Sequence, residues 1–323
     1  MLDKLNQTDK DRTLQIAIGL VVFFTSLVLS RLYVEGDQFG YHRAYSLMEG
    51  LGLRDGFVMY EHNISGAEYV HFFLSFLGSN LGIDKNALMS LFNAILAVYF
   101  LKLLEKWGAD SRVACLIVLT NFYMFVLYFA AERLKIGFLF LVLSMLYSNR
   151  PWHSYSFVFL SIWSHFSMLF IYGSAWIAKN YDNFRSVAKM RSKSFYLSLL
   201  MLLPPLFLVM YESKSILWKL GTYIERNTDL SAMSFMPLGV LIVLTGIYAK
   251  DMLRSLVIFS PFVVGIALLG GSRLNMLAYY IFLYFGLRVK GGVNAGVLLT
   301  AAYFFYKSIG FVNNILDHGH GFP

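Results

Sequence analysis

Apolar runs of about 15–22 residues recur along this chain, separated by short polar breaks, and a helix of that length spans a bilayer. A helix satisfies its own backbone hydrogen bonds in lipid, so the pattern predicts an all-α polytopic membrane protein. An outer-membrane barrel would instead need alternating segments of about ten residues, and none occurs. The first span is expected at Thr13–Ser30 and is retained, because its apolar run carries no small-residue cleavage site. Further spans are expected at Asn86–Leu104, Val113–Ala131, Leu134–Ser148, Tyr155–Ala178, Phe195–Met210, Met233–Ala249, Ser255–Leu269, Leu274–Arg288 and Val293–Gly310. Ser164–His165–Phe166–Ser167 breaks the run from Tyr155 to Ala178 in two, giving about 11 transmembrane helices in one transmembrane domain, residues 1–323.

Two segments depart from the spanning pattern. Residues 31–67 are polar, with the period of a short interfacial amphipathic helix at Tyr41–Met48. Glu68–Ile83 is apolar but short, and Gly78, Ser79 and Asn80 interrupt it, so it is either a weak span or a re-entrant element. Composition agrees with membrane residence: 58% of residues are hydrophobic, 14% charged and 17% aromatic, the last fitting interfacial belts. Cys115 is the sole cysteine, which excludes an intramolecular disulfide.

The net charge of +8 reads as a topology signal, not a nucleic-acid surface, since no basic face lies on a soluble module. With a cytoplasmic N-terminus, a non-crossing Glu68–Ile83 and a reversal at His165, 16 of the 27 basic residues fall on the cytoplasmic side, including the cluster Lys179, Arg185, Lys189, Arg191 and Lys193. If Glu68–Ile83 crosses, everything after it inverts. In the first arrangement Asp37, His42, Arg43, Arg133, His165 and Arg273 all fall on the outer face, together with loops at about 31–67 and 211–232.

The candidate chemistry follows from these polar groups. Glu132, Arg133 and Lys135 interrupt an apolar stretch; the ERLK step is expected as a tight turn between spans, with Arg133 at the mouth of a bundle. Arg273 follows the Gly270–Gly271 break in the same manner, while His165 sits within an apolar run. The seven histidines lack metal-ligand spacing, and no Walker, GxSxG or GxGxxG motif is present. Two outward arginines with a His or Asp suit a diphosphate-linked substrate, because the guanidinium fork matches phosphate oxygens.

D-x-x-x-Y at Asp37–Tyr41, the acidic pair Glu68–Tyr69, R-x-x-x-G at Arg133–Gly137, H-x-S at His165–Ser167 and the GSR ending in Arg273 together resemble the EpsG/Wzy group of polysaccharide polymerases. Where that group often has Ala soon after the central Arg, this chain has Lys135–Ile136–Gly137. The resemblance, over roughly residues 13–290, implies a multispan C-class glycosyltransferase of a bacterial inner membrane with its active site facing the periplasm. It implies undecaprenyl-diphosphate-linked glycans as donor and acceptor, no cofactor or metal, and membrane lipids, a flippase and a chain-length regulator as partners. On the same ground Arg133 and Arg273 would stabilise the leaving diphosphate, and His165 or Asp37 would take the acceptor proton. His42, Arg43, Tyr41, Glu132 and Tyr279 would hold substrate. A related O-antigen ligase usually has a larger late periplasmic loop than 211–232, and a transporter reading calls for inverted repeats that the sequence lacks.

Overall fold

A computed structural model describes residues 2–64, 68–184, 221 and 232–322, and every regular element among them is a helix. The expected spans Phe195–Met210 and the 211–232 loop lie outside the described residues, apart from Gly221 and the start of the helix at Ala232. The chain divides into two compact units, residues 1–165 with 291–323, and residues 166–290.

The first unit is built on α1 (Leu2–Leu32) and α5 (Lys85–Lys106), which pack along each other. Gly19 of α1 lies against Val98 of α5 and Ser26 against Asn93, so the two helices run antiparallel. Asp84 caps α5 by accepting from the Ala87 N–H, a bond of 2.8 Å. Around this pair stand α6 (Ser111–Thr120), α7 (Phe122–Phe125), α8 (Glu132–Leu146), α9 (Pro151–Ser164) and α14 (Ala295–His318). The Ser161 hydroxyl of α9 donates to the Gly137 carbonyl of α8 at 2.7 Å, so Gly137 lies at the contact between these two helices.

Among the described residues, Arg12–Leu32, Lys85–Lys106 and Lys290–His318 are each long and apolar enough to cross a membrane. The run expected as one span at Val113–Ala131 is instead two helical pieces bent by 50°. Asn121 causes the break: its backbone is extended and its side chain caps α7 at the Tyr123 N–H. The second piece ends in a π-helical turn, Val126–Ala130, and Ala131 separates it from α8.

The polar segment 31–67 folds into α2 (Asp37–Leu47) and α3 (Leu53–Ile64), and α4 (Tyr69–Asn80) follows. Met48, Tyr60 and Phe72 form their shared core, with Phe57, Ile64 and Phe76 around it. Gly78, Ser79 and Asn80, which look like interruptions in the sequence, dock α4 onto α2. The Ser79 hydroxyl donates to the Tyr45 carbonyl at 2.7 Å and the Asn80 amide to the Met48 carbonyl at 3.1 Å. A Cβ on Gly78 would run into Leu88 and the Tyr45 hydroxyl. The 12 residues of α4 extend only about 18 Å, short of a hydrocarbon core about 30 Å thick.

The second unit contains α10 (Met168–Phe184), α11 (Ala232–Ala249), α12 (Met252–Leu269) and α13 (Gly271–Gly286). Gly270 turns the chain between α12 and α13 with φ 85°, a conformation open to glycine. The Gly271 position faces the Ser234 carbonyl, 2.9 Å from where a Cβ would stand, and the Asn275 amide donates to that same carbonyl at 3.1 Å.

Candidate functional site

The polar side chains of the first unit converge where several helices begin. Gln38 and Tyr41 come from the first turns of α2, Glu68 immediately precedes α4 and His71 lies in its first turn, Lys85 opens α5, and Glu132 and Arg133 open α8. Helix N-termini carry unpaired N–H groups and partial positive charge, so such a gathering favours anions.

Arg133 Nε donates to the Tyr41 hydroxyl at 2.9 Å, and Nη1 donates to Glu68 Oε2 at 2.8 Å. Nη2 makes no hydrogen bond among the described residues, and the side chain is 14% exposed while that of Glu68 is 5% exposed. Lys85 Nζ donates to Glu132 Oε1 at 2.7 Å and to Gln38 Oε1 at 2.8 Å; the Gln38 amide in turn donates to the Phe129 carbonyl. That carbonyl lies in the π-helical turn, as does the Tyr128 carbonyl, which accepts from Asn93 at 3.0 Å. The irregular turn thus presents backbone acceptors to side chains from neighbouring helices. Lys135 is fully buried one turn into α8, and its one hydrogen bond among the described residues is a 3.4 Å contact to the Tyr128 carbonyl.

Each buried ion costs several kcal/mol in desolvation, and pairing with hydrogen bonds offsets that cost. Glu68 pairs with Arg133 and Glu132 with Lys85, while the buried Lys135 bonds only the Tyr128 carbonyl among the described residues. His71 completes the cluster: Nδ1 lies 2.8 Å from the Tyr60 hydroxyl, and Nε2 lies 3.6 Å from Glu132 Oε2. Burial, opposed by the guanidinium of Arg133, pushes the Tyr41 phenol up to about 12, so it stays protonated at neutral pH. Burial, aided by the nearby Lys85 ammonium, holds His42 below the ordinary imidazole range, and its buried Nε2 has no hydrogen-bond partner among the described residues.

The sequence-derived candidates divide. Tyr41, Glu132 and Arg133 meet in the cluster, with Arg133 held by partners and not merely reaching for an interface. His42 is half-buried at its edge. Asp37, the first residue of α2, and Arg43 are exposed. His165 follows the last residue of α9 and its N–H bonds the Ser161 carbonyl, so the helix does break where SHFS predicted. The same end of α9 reaches α4, where the Trp163 ring lies 5.3 Å from that of Tyr69, beside Glu68. Arg273 and Tyr279 belong to the second unit: Arg273 is half-buried in the first turn of α13, and Tyr279 is fully buried beside Tyr280 and Phe282.

Lys85, Gln38, Tyr60 and His71 escaped the sequence reading as site residues. Lys85 stands just outside the expected span at Asn86 and reads as a flanking cation, and His71 sits in an apolar run with no motif around it. The detectable signal was the set of unneutralised polar residues bordering apolar helices, of which Glu132 was one. No protein-family model, curated protein or solved structure matches the chain.

Proposed function

We propose that this chain is a lipid-dependent glycosyltransferase that polymerises undecaprenyl-diphosphate-linked oligosaccharide repeat units into O-antigen or exopolysaccharide at the periplasmic face of a bacterial inner membrane. The reading includes about 11 crossings, with membrane lipids, a flippase and a chain-length regulator as partners. The motif resemblance points to the reaction. The observation that carries it is the cationic cluster at converging helix N-termini, with Arg133 fixed by Glu68 and Tyr41 while its Nη2 stays open.

In that reaction an acceptor hydroxyl attacks the anomeric carbon of the growing glycan, and the bond from that carbon to the diphosphate oxygen breaks. The electron pair leaves with the diphosphate. Arg133 already has one edge of its guanidinium held, so its free N–H groups meet the developing charge with little rearrangement. Lys85 and Lys135 raise the local positive potential, and the N-termini of α4, α5 and α8 add to it. The half-buried rings of Tyr69 and Trp163 offer an apolar face against which a sugar can lie. His42, whose Nε2 is unpartnered among the described residues, provides a polar contact at the rim. His165 and Asp37 stand as the bases named by the motif resemblance, while Arg273 remains a candidate within the second unit.

The test is reconstitution in vesicles with lipid-linked repeat units and no nucleotide sugar. A ladder of glycan products is expected. Hydrolysis of the donor without chain growth, or no consumption at all, would remove the polymerase reading.

A further inference from the structure

The spanning helix α14 carries an exposed lysine, Lys307, at the middle of the membrane. Contacts at its two ends set the depth. At one end the Gly319 carbonyl accepts from the N–H groups of Val34 and Glu35, just past α1; at the other the Gly291 carbonyl accepts from the Asp110 N–H, just before α6. Charged residues mark both levels: Arg31, Glu35 and Asp317 at the first, Asp110 and Arg112 at the second. Lys307 stands about 16 Å from the end of α14 at His318 and about 20 Å from its cap at Asn294.

The outward surface of α14 falls into two stripes. Leu298, Ala302, Phe305, Ile309 and Leu316 are exposed and wholly apolar, as a face turned to lipid should be. Leu299, Tyr303, Tyr306, Gly310, Asn313 and Asp317 are exposed too, but most are polar, and they alternate at spacings of four and three, the seam of a helix–helix contact. Lys307 flanks that seam on the side where α14 meets α7, its Nζ 5.3 Å from the Phe122 ring and 5.7 Å from the Tyr303 ring. Two rings attract a cation without neutralising it. Lys307 makes no ion pair or hydrogen bond among the described residues, and neither do the hydroxyls of Tyr303 and Tyr306, the latter residue 75% exposed.

We propose that this seam docks a transmembrane helix of a second membrane protein, one that brings an aspartate or glutamate to the middle of the bilayer beside Lys307. A charge at that depth is costly until it is paired, and a carboxylate is the group that pairs it. Lipid headgroups do not reach it: the middle of a hydrocarbon core about 30 Å thick lies about 15 Å from either headgroup layer. A lysine stem is too short to cross that gap, and contact with Tyr303, one turn back, leans the ammonium toward the more distant end of α14. A second copy of this chain is excluded by symmetry. Two copies inserted the same way and related by a two-fold axis along the membrane normal would set Lys307 against Lys307 across the seam. Gly310 has open space where a Cβ would stand, so a partner backbone can approach closely one turn from the lysine. The proposal needs α14 to cross the membrane and does not rest on the transferase reading.

The test is photo-crosslinking in the native membrane, with a photoreactive phenylalanine replacing Tyr306 and the crosslinked peptides sequenced by mass spectrometry. The expected adduct joins position 306 to a span of one other membrane protein that holds an Asp or Glu near its centre. Lys307→Met, at equal protein level, should lower its yield at least about tenfold. Lys307→Glu combined with Lys at the partner's acidic position should restore it. Five outcomes would each overturn the proposal: an adduct with a second copy, with residues 185–231 of the same chain, with lipid alone, or with a span lacking a central acid, or no adduct at all. An unchanged yield in Lys307→Met would overturn it equally.

Discussion

At the residue scale, the decisive feature is that charges in an apolar protein are held in specific pairs. Arg133 shows what the pairing does. Its Nε and Nη1 bonds to Tyr41 and Glu68 fix the plane of the guanidinium, so a lysine at 133 would keep the charge and lose the fork. Arg133→Lys should therefore lower glycan extension by about 10²–10³ at normal protein level, by analogy with loss of one donor to a developing anion. Equal rates in the variant and wild type would mean that the guanidinium serves structure alone. The Lys85–Glu132 pair makes a stability prediction. Glu132→Gln leaves the Lys85 ammonium buried without its counter-charge and should cost about 3–5 kcal/mol, whereas Lys85→Met with Glu132→Leu should cost less than the two single changes combined. Thermal unfolding of the wild type, Glu132→Gln, Lys85→Met, Glu132→Leu and the double variant in one detergent checks this, and simple additivity of the last two single changes would contradict the pairing.

At the element scale, the site depends on short helices that cannot stand alone in a bilayer. The α4 helix delivers both Glu68 and His71, and it is held by Gly78, Ser79 and Asn80 against α2. Gly78→Val should push α4 away from Tyr45 and Leu88 and cost activity even though position 78 stands about two turns along α4 from His71. A fully active, equally stable Gly78→Val protein would show that this docking does not position the site. The extent of what the sequence reveals is clearest here. The break at His165 was legible because a polar quartet interrupts a long apolar run; the turn expected over Glu132–Lys135 is instead the first turn of α8, and the chain breaks one residue earlier, at Ala131. The bend at Asn121 was not legible, since one Asn within an apolar run does not disturb the hydrophobic pattern; only its capping bond shows the break. Lys85 meeting Glu132 and Tyr60 meeting His71 follow from packing of separate helices, and no periodicity within one helix encodes which neighbour it will face.

At the scale of the whole molecule, apolar helices establish membrane residence, and the basic residues suggest which way they face. The proposed orientation puts the exposed turn of α3 outside and the start of α6 inside. In a Cys115→Ser background, a cysteine at Asp55 should react with an impermeant reagent on intact spheroplasts, and one at Arg112 only after permeabilisation; both positions are exposed, so burial does not confuse the result. The opposite pattern would place the cluster on the cytoplasmic side, where a periplasmic polymerase has no substrate.

The central claim is that the cationic cluster around Arg133 drives transfer from a lipid diphosphate. The measurement that reaches it most directly is the product ladder formed by purified protein in vesicles with undecaprenyl-diphosphate-linked repeat units, in EDTA and without nucleotide sugar, run beside Arg133→Lys. The account predicts a ladder from the wild type and little beyond the single repeat unit from the variant. Ladders of equal length from both proteins, or none from either, would contradict it.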